Sequence, residues 1–123
     1  MTMSDDGAYE LFREGQKRLR SGMTAQATVP LEKAKRLEPE KASIREALGI
    51  AYFRLARWRD AEREFRTIVE DLSPTDHYAH YALGRALEHL GKTAEANGHY
   101  KLASSMKPGS ETYSARILQL DDE

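Results

Sequence analysis

Apolar residues along the chain return every three or four positions, which is the period of an amphipathic helix. The pattern is clearest in the middle of the chain, at Ala47, Leu48, Ala51, Tyr52 and Leu55 and again at Ala61, Phe65, Ile68 and Val69. No segment alternates residue by residue between polar and apolar types, as a half-buried strand does. The pattern therefore predicts an all-α chain.

A longer period lies on top of the helical one. Glycines recur 34 and 35 residues apart, each followed by an alanine and then by a large apolar residue. The three sets are Gly15, Ala27 and Leu31; Gly49, Ala61 and Phe65; and Gly84, Ala96 and Tyr100. Larger side chains would hold helix backbones apart, so the small residues are predicted to let the two helices of a unit approach closely. Each unit ends at a proline, which cannot continue a helix: Pro39, Pro74 and Pro108.

Short breaks divide each unit into two helices. The breaks are Ser21-Gly22, Ala56-Arg57 and Leu90-Gly91-Lys92. Ser73 followed by Pro74 predicts the start of the fifth helix, with the serine as cap and Asp76 in support. Pro30 lies inside the second helix and is predicted to shorten or bend it.

The order Leu-Gly-x-x-Tyr, Ala-x-x-x-Phe and Pro within one period resembles the tetratricopeptide repeat. The middle unit matches best, with Leu48-Gly49, Tyr52, Trp58, Ala61, Phe65 and Pro74. In the first unit, Glu14 and Arg18 replace the usual leucine and tyrosine, as suits a terminal unit that faces water. The tryptophan usual early in each first helix is absent, and Leu11, Arg45 and His80 hold its place.

The resemblance covers residues 8–110 and implies one domain over residues 1–123. The implied fold is a right-handed superhelix (an α-solenoid) of three antiparallel helix pairs, with repeats at about 8–41, 42–76 and 77–110. A C-terminal capping helix is expected at about 111–120, where Tyr113, Ile117 and Leu120 share one face. That face either caps the stack or docks on a second copy of the chain.

The resemblance also implies that the first helix of each pair lines a concave groove, where similar proteins hold a peptide or a partner's helix. Helical spacing predicts the inward residues, which are Tyr9, Phe12, Arg13, Gln16 and Arg20; Ser43, Glu46, Ile50, Phe53 and Arg54; and Tyr78, Tyr81, Arg85, Glu88 and His89. Aromatic and arginine side chains are enriched at binding hot spots. The excess of arginine over acidic residues in this set predicts a partner segment with acidic and apolar residues. The pattern leaves open whether Phe53 contacts the partner or is buried between helices.

One subfamily grips the C-terminal carboxylate of chaperone tails with lysines, asparagines and an arginine. The corresponding positions of this chain are Phe12, Gln16, Ala47, Tyr78 and Ala82, and none of them is charged. The resemblance therefore implies a binding module of a different kind from those co-chaperones.

The charge balance favours no nucleic-acid partner, because 19 basic and 20 acidic side chains leave a net charge of −1. A basic cluster in the first unit is interrupted by Glu14, Glu32 and Glu38, which is typical of a solvated helix face. The polar start, residues 1–6, is not a secretory signal, and no apolar run is long enough to span a bilayer. We expect a cytoplasmic location with no membrane contact.

The sequence has few features that would indicate catalysis or metal binding. There is no cysteine, no phosphate-binding glycine loop and no nucleophile elbow. His77 and His80 are three apart on one helix but lack a third ligand, and the acidic residues 121–123 are adjacent, as in a solvated tail. The sequence predicts a non-enzymatic scaffold or adaptor without cofactor or metal, expected to be a monomer. A self-associating assembly protein that uses the last helix, as a homodimer, is the alternative.

Overall fold

The computed structural model describes residues 4–121, with side chains described from residue 7 onward. The first three residues of the polar start, 1–3, and the last two acidic residues of the tail, 122–123, lie outside this range. The described residues form seven α-helices and no strand, which confirms the all-α class. The helices are α1 (Ser4–Arg20), α2 (Thr24–Leu37), α3 (Ala42–Arg54), α4 (Trp58–Thr67), α5 (His77–His89), α6 (Thr93–Met106) and α7 (Glu111–Asp121).

The helices stack as three pairs and a cap. Helix α1 packs on α2, α3 on α4 and α5 on α6, and contacts of α2 with α3 and of α4 with α5 join the pairs into a helical solenoid. Helix α7 packs on α6, where Tyr113 is buried and Ile117 and Leu120 pack against the core. Leu118 points away from the stack and is 65% exposed. The structure therefore confirms a capping helix.

The repeated glycines mark the closest contacts within each pair. A methyl group added at Gly49 would lie 2.6 Å from the ring of Phe65, which is fully buried. The same addition would lie 2.4 Å from Leu31 at Gly15 and 2.5 Å from Tyr100 at Gly84. These distances are too short for a real carbon contact, so the predicted close approach of the two helices is confirmed.

Helix α2 is not shortened by Pro30, contrary to that part of the prediction. It has 14 residues, as many as α6, and Pro30 is buried inside it. A proline leaves the carbonyl four residues earlier without its amide donor. Here that carbonyl belongs to Gln26, and the Nη1 group of Arg18 donates to it at 3.0 Å. The arginine that departs from the repeat pattern thus satisfies the carbonyl that the proline leaves free.

Arg45 and His80, which replace the usual tryptophan, hold the chain segments that enter their helices. The Nε group of Arg45 donates to the carbonyl of Pro39 at 2.9 Å. His80 contacts the carbonyl of Pro74 through Nε2 at 2.8 Å. The two residues occupy equivalent positions and bind equivalent carbonyls. In both repeats a polar side chain that bonds to the preceding segment therefore replaces the usual tryptophan.

The predicted cap at Ser73 is wrong, because α5 begins four residues later. Its N-cap is Asp76, whose carboxylate accepts a hydrogen bond from the Ala79 amide at 3.0 Å. Helix α4 first continues into a π-helical turn, Ile68–Leu72, which the Ser73 amide closes by donating to the Ile68 carbonyl at 2.6 Å. A π turn holds one more residue than an α turn. This turn accounts for the second glycine spacing being one residue longer than the first.

The break without a glycine is strained. Gly22 and Gly91 have φ of +78°, and Ala56 at the equivalent place has φ of +59°. A left-handed residue other than glycine costs about 1–2 kcal/mol. We therefore expect Ala56→Gly to raise the free energy of unfolding by about 1 kcal/mol, measured by denaturant titration, after allowing for the greater freedom of glycine in the unfolded chain.

The matched control is the reverse change at the equivalent place. An added methyl group at Gly22 meets no atom within 4 Å, so Gly22→Ala tests the backbone alone. It should lower the free energy of unfolding by about 1 kcal/mol. Changes of the same sign in both variants would show that backbone strain is not the cause.

Candidate functional site

An open pocket of about 210 Å³ lies between α3 and α5. Its lining residues are Ile50, Phe53 and Arg54 from α3, Phe65 from α4, and Tyr78, Tyr81, Ala82 and Arg85 from α5. Six of these eight belong to the groove predicted from the sequence. The structure thus brings the α3 and α5 parts of that groove together around one opening.

Arg85 lies among the aromatic rings of this pocket. Its guanidinium carbon is 5.4 Å from the ring centre of Phe53 and 6.0 Å from that of Tyr81, which is the range of cation–π contacts. Its Nη1 group donates to the Tyr81 hydroxyl at 3.2 Å. Its Nε group is buried and has no hydrogen-bond partner among the described residues. The protein therefore places a positive charge at the pocket and leaves it only partly satisfied.

The two acids predicted for the groove do not neutralise that charge. Glu88 pairs with Arg116 of α7 at 3.2 Å, so it helps to hold the capping helix. Burial, and to a lesser extent the negative charge of Asp76, raises the pKa of the Glu46 carboxyl. Neither carboxylate lies within ion-pair distance of Arg54 or Arg85, and no other described one does. The lining of the pocket has two arginines and no acidic residue, so the lining itself is positively charged.

The residues that form the pocket are not repeated in the preceding unit, although the helices repeat. One repeat earlier, the positions of its predicted residues hold Gln16, Leu19, Arg20, Ser43, Glu46 and Ile50. Only one arginine is common to both sets, and the three rings have no aromatic counterpart. Packing that every unit shares would require similar residues in every unit. The common scaffold therefore does not explain the rings and the second arginine.

The other predicted groove residues lie apart from this pocket. Tyr9, Phe12 and Ser43 line a second depression between α1 and the start of α3, and Tyr9 is 60% exposed. Arg13 lies over the Tyr9 ring at 5.7 Å. Arg13 and Arg20 border a shallow surface on α1 beside acidic residues, and Gln16 is half-buried.

His89 belongs to an aromatic cluster that the sequence analysis missed. Its ring stacks on that of Trp58 with centres 3.8 Å apart, and Phe53 meets both rings edge-on. Phe53 is therefore partly structural, as the second interpretation of this residue held. Phe65 and Ala82 also belong to the pocket wall. The repeat pattern gave no sign of this for Phe65, whereas Ala82 stands at one of the clamp positions.

A pair of histidines connects α5 and α6 outside the pocket. The Nδ1 atoms of His80 and His99 are 3.0 Å apart. The Pro74 carbonyl can only accept, so it fixes the Nε2 proton on His80. In the neutral pair, His99 therefore donates its Nδ1 proton to His80. Full protonation of both rings would set two N–H groups against each other, which this contact cannot accommodate.

We expect the protein to lose stability in mild acid through His99. Burial, followed by the neighbouring His80, lowers the pKa of His99, despite the opposing effect of Glu95. The unfolded chain then binds the proton more readily than the folded one, so stability is intact above the ordinary histidine pKa and falls as pH drops toward the lowered value. Thermal melts between about pH 7.5 and 5 should show a smaller pH dependence for His99→Gln than for the wild type. Equal dependence in both proteins would contradict this assignment.

The described residues contain no group of three or more His, Asp and Glu side chains arranged to hold a metal ion. His77, considered with His80 as a ligand pair, instead contacts the Tyr113 hydroxyl at 2.7 Å. None of the described helices has the length and apolar character that a bilayer span requires.

Comparisons with known proteins agree with this architecture. The family model for the tetratricopeptide repeat matches residues 32–111. Superkiller complex protein 3 of Mus musculus is 30% identical over 96 residues, which are 78% of this chain but only 6% of that protein.

Two solved structures share the fold across nearly the whole chain. The first TPR of Spaghetti (RPAP3), bound to the HSP90 peptide SRMEEVD, has a TM-score of 0.90 at 22% identity, covering 95% of this chain and 92% of that one. The Arabidopsis OM64 TPR domain has a TM-score of 0.92 at 17% identity, covering 98% of both chains. At identities this low, the two structures show only that the fold is shared. The family model, in contrast, matches the sequence over more than half of the chain. This chain therefore belongs to the tetratricopeptide-repeat family.

Proposed function

We propose that the chain is a protein-interaction module that holds a segment of a partner protein in its groove, with the pocket between α3 and α5 as the anchoring point. Its role is that of a scaffold or adaptor, and no catalytic step is involved. The observation that supports this most is that the rings and the second arginine line an open pocket and are not repeated in the preceding unit. Aromatic and arginine side chains in such positions are the usual sources of binding energy.

The partner segment is one with acidic and apolar residues. The Spaghetti domain, which has the same fold, binds the acidic HSP90 peptide SRMEEVD. In our chain the positions used by the carboxylate clamp hold Phe12, Gln16, Ala47, Tyr78 and Ala82. Because these side chains are uncharged, we propose a partner other than the C-terminal tail of a chaperone.

Self-association through α7 is the weaker alternative. Tyr113 is buried, and Ile117 and Leu120 pack against the core of their own chain. Of the large apolar residues on α7, only Leu118 is well exposed. One leucine is a small surface for a dimer, so we favour a monomer.

Affinity capture with a groove variant tests the proposal. We expect the double substitution Tyr81→Ala, Arg54→Glu to abolish capture of a partner from lysate of the source organism, because it removes a ring and reverses a charge at the pocket. Mass spectrometry identifies the proteins retained by the wild type and lost by the variant. Circular dichroism must show that the variant is folded.

Leu102→Ala is the control, since Leu102 is an exposed apolar residue of α6, outside the groove. It should retain the partner. Equal capture by the wild type and the folded double variant would exclude the pocket as the binding site.

A further inference from the structure

We propose that the pocket selects an internal segment of the partner, in which one aromatic or large aliphatic side chain lies within two residues of an aspartate or glutamate. This inference rests on the proposed function and narrows the partner to a class of sequences. It follows from the charge, the size and the position of the pocket.

The positive charge of the two pocket arginines favours a partner that supplies an anion. Among the described residues, no carboxylate forms an ion pair with Arg54 or Arg85. Arg85 is packed over the Phe53 ring and has a buried Nε group without a partner. A partly desolvated guanidinium that lacks an anion is unfavourable, and a carboxylate from outside would form a charge-assisted pair with it.

The size of the pocket limits what enters it. Its volume of about 210 Å³ is below the roughly 300–1,000 Å³ of sites for small molecules. One large side chain in contact with the rings of Phe53, Tyr78 and Tyr81 suits this space. Both arginines line the same pocket, and an extended chain advances about 3.3 Å per residue, so the acid must lie within a residue or two of the anchor.

The position of the charge argues against a chain terminus. Tyr78 and Ala82, which form part of the pocket wall, stand at two of the positions that grip a terminal carboxylate in the clamp. Here those positions offer a ring and a methyl group. The positive charge lies instead at Arg54 and at Arg85, about one helical turn beyond Ala82. A side-chain carboxylate satisfies these arginines without any free C-terminus.

Selection from a phage-displayed library of random peptides tests the inference. The peptides are fused to the coat protein at their C-terminal ends, so that no free carboxylate is offered. Enriched sequences should combine a large apolar residue with a neighbouring Asp or Glu. The synthetic peptides should lose at least roughly tenfold in affinity, by fluorescence polarisation, toward the double variant Arg54→Gln, Arg85→Gln and toward Tyr81→Ala, but not toward Leu102→Ala on α6, outside the groove.

Peptides in which the acid is replaced by its amide test the same contact without altering the protein. They should lose affinity for the wild type to a similar extent. Enriched neutral or basic sequences that still require Tyr81 would overturn the inference and leave the proposed function standing. Binding of the free peptide SRMEEVD, when the display library yields nothing, would show selection of a chain terminus and also overturn it. Absence of any binder that requires Tyr81 would overturn both proposals.

Discussion

Replacement of Gly49 by valine should lower the free energy of unfolding by about 3 kcal/mol. The ring of Phe65 already lies 2.6 Å from where the first added carbon would stand, and both residues are buried. Neither can move without disturbing the contact of α3 with α4, because the interior is closely packed. Valine adds two further methyl groups at the same place. Denaturant titration followed by circular dichroism measures the loss.

The matched control for this prediction is the same substitution at Gly98. That glycine is also inside a helix, but an added carbon there meets nothing within 4 Å. Gly98→Val should be neutral or slightly stabilising, because valine has the higher helix propensity. If both variants lost the same stability, the helix preference of valine would be the cause, and the close approach of α3 and α4 would not matter. A partial rescue of Gly49→Ala by Phe65→Leu would locate the clash directly.

Removal of the Glu64 carboxylate is the second change with a large expected effect. Glu64 is 2% exposed and contacts Lys35 of α2 at 2.8 Å and Arg45 of α3 at 3.0 Å. One side chain of α4 thus connects three helices. We expect Glu64→Ala to cost about 2–4 kcal/mol, because it leaves the largely buried Arg45 without an anion and Lys35 with Glu32 alone.

An exposed ion pair provides the comparison. Glu14 pairs with Arg18 at 2.9 Å within α1, and the Glu14 side chain is 45% exposed, compared with 3% for Glu64. Glu14→Ala should cost about 0.5 kcal/mol or less. Similar losses in the two variants, measured by denaturant titration, would mean that the Glu64 network contributes no more than a surface pair.

The helices and their close contacts could be predicted because the information is local and repeated. The apolar period gives the helices, and Gly15, Gly49 and Gly84 recur in one place of each unit. The Glu64 network could not be predicted, because Glu64 is the last of three consecutive charged residues, 62–64, and such a run is typical of a solvent-facing position. Its burial depends on partners 29 and 19 residues earlier in the chain.

The candidate site was only partly predictable for a related reason. Spacing shows which face of a helix a residue such as Tyr81 occupies, but it does not show which residues of two helices meet. Glu88 shares the face of the groove residues and is nevertheless held by Arg116 of α7. Similarly, the spacing of the glycines revealed one extra residue in the second unit, but not the π turn at Ile68–Leu72 that contains it.

Leu118, the exposed leucine of α7, stands where a further helix would have to pack if the stack were extended. Leu118 stands one period after Gly84, at the position where each earlier first helix has the glycine that admits its second helix. Its side chain fills the space into which another second helix would have to settle. Even within a longer array of repeats, close packing would therefore be interrupted at α7. We therefore expect Leu118→Gly to be the first change needed in any attempt to extend the protein by a further unit.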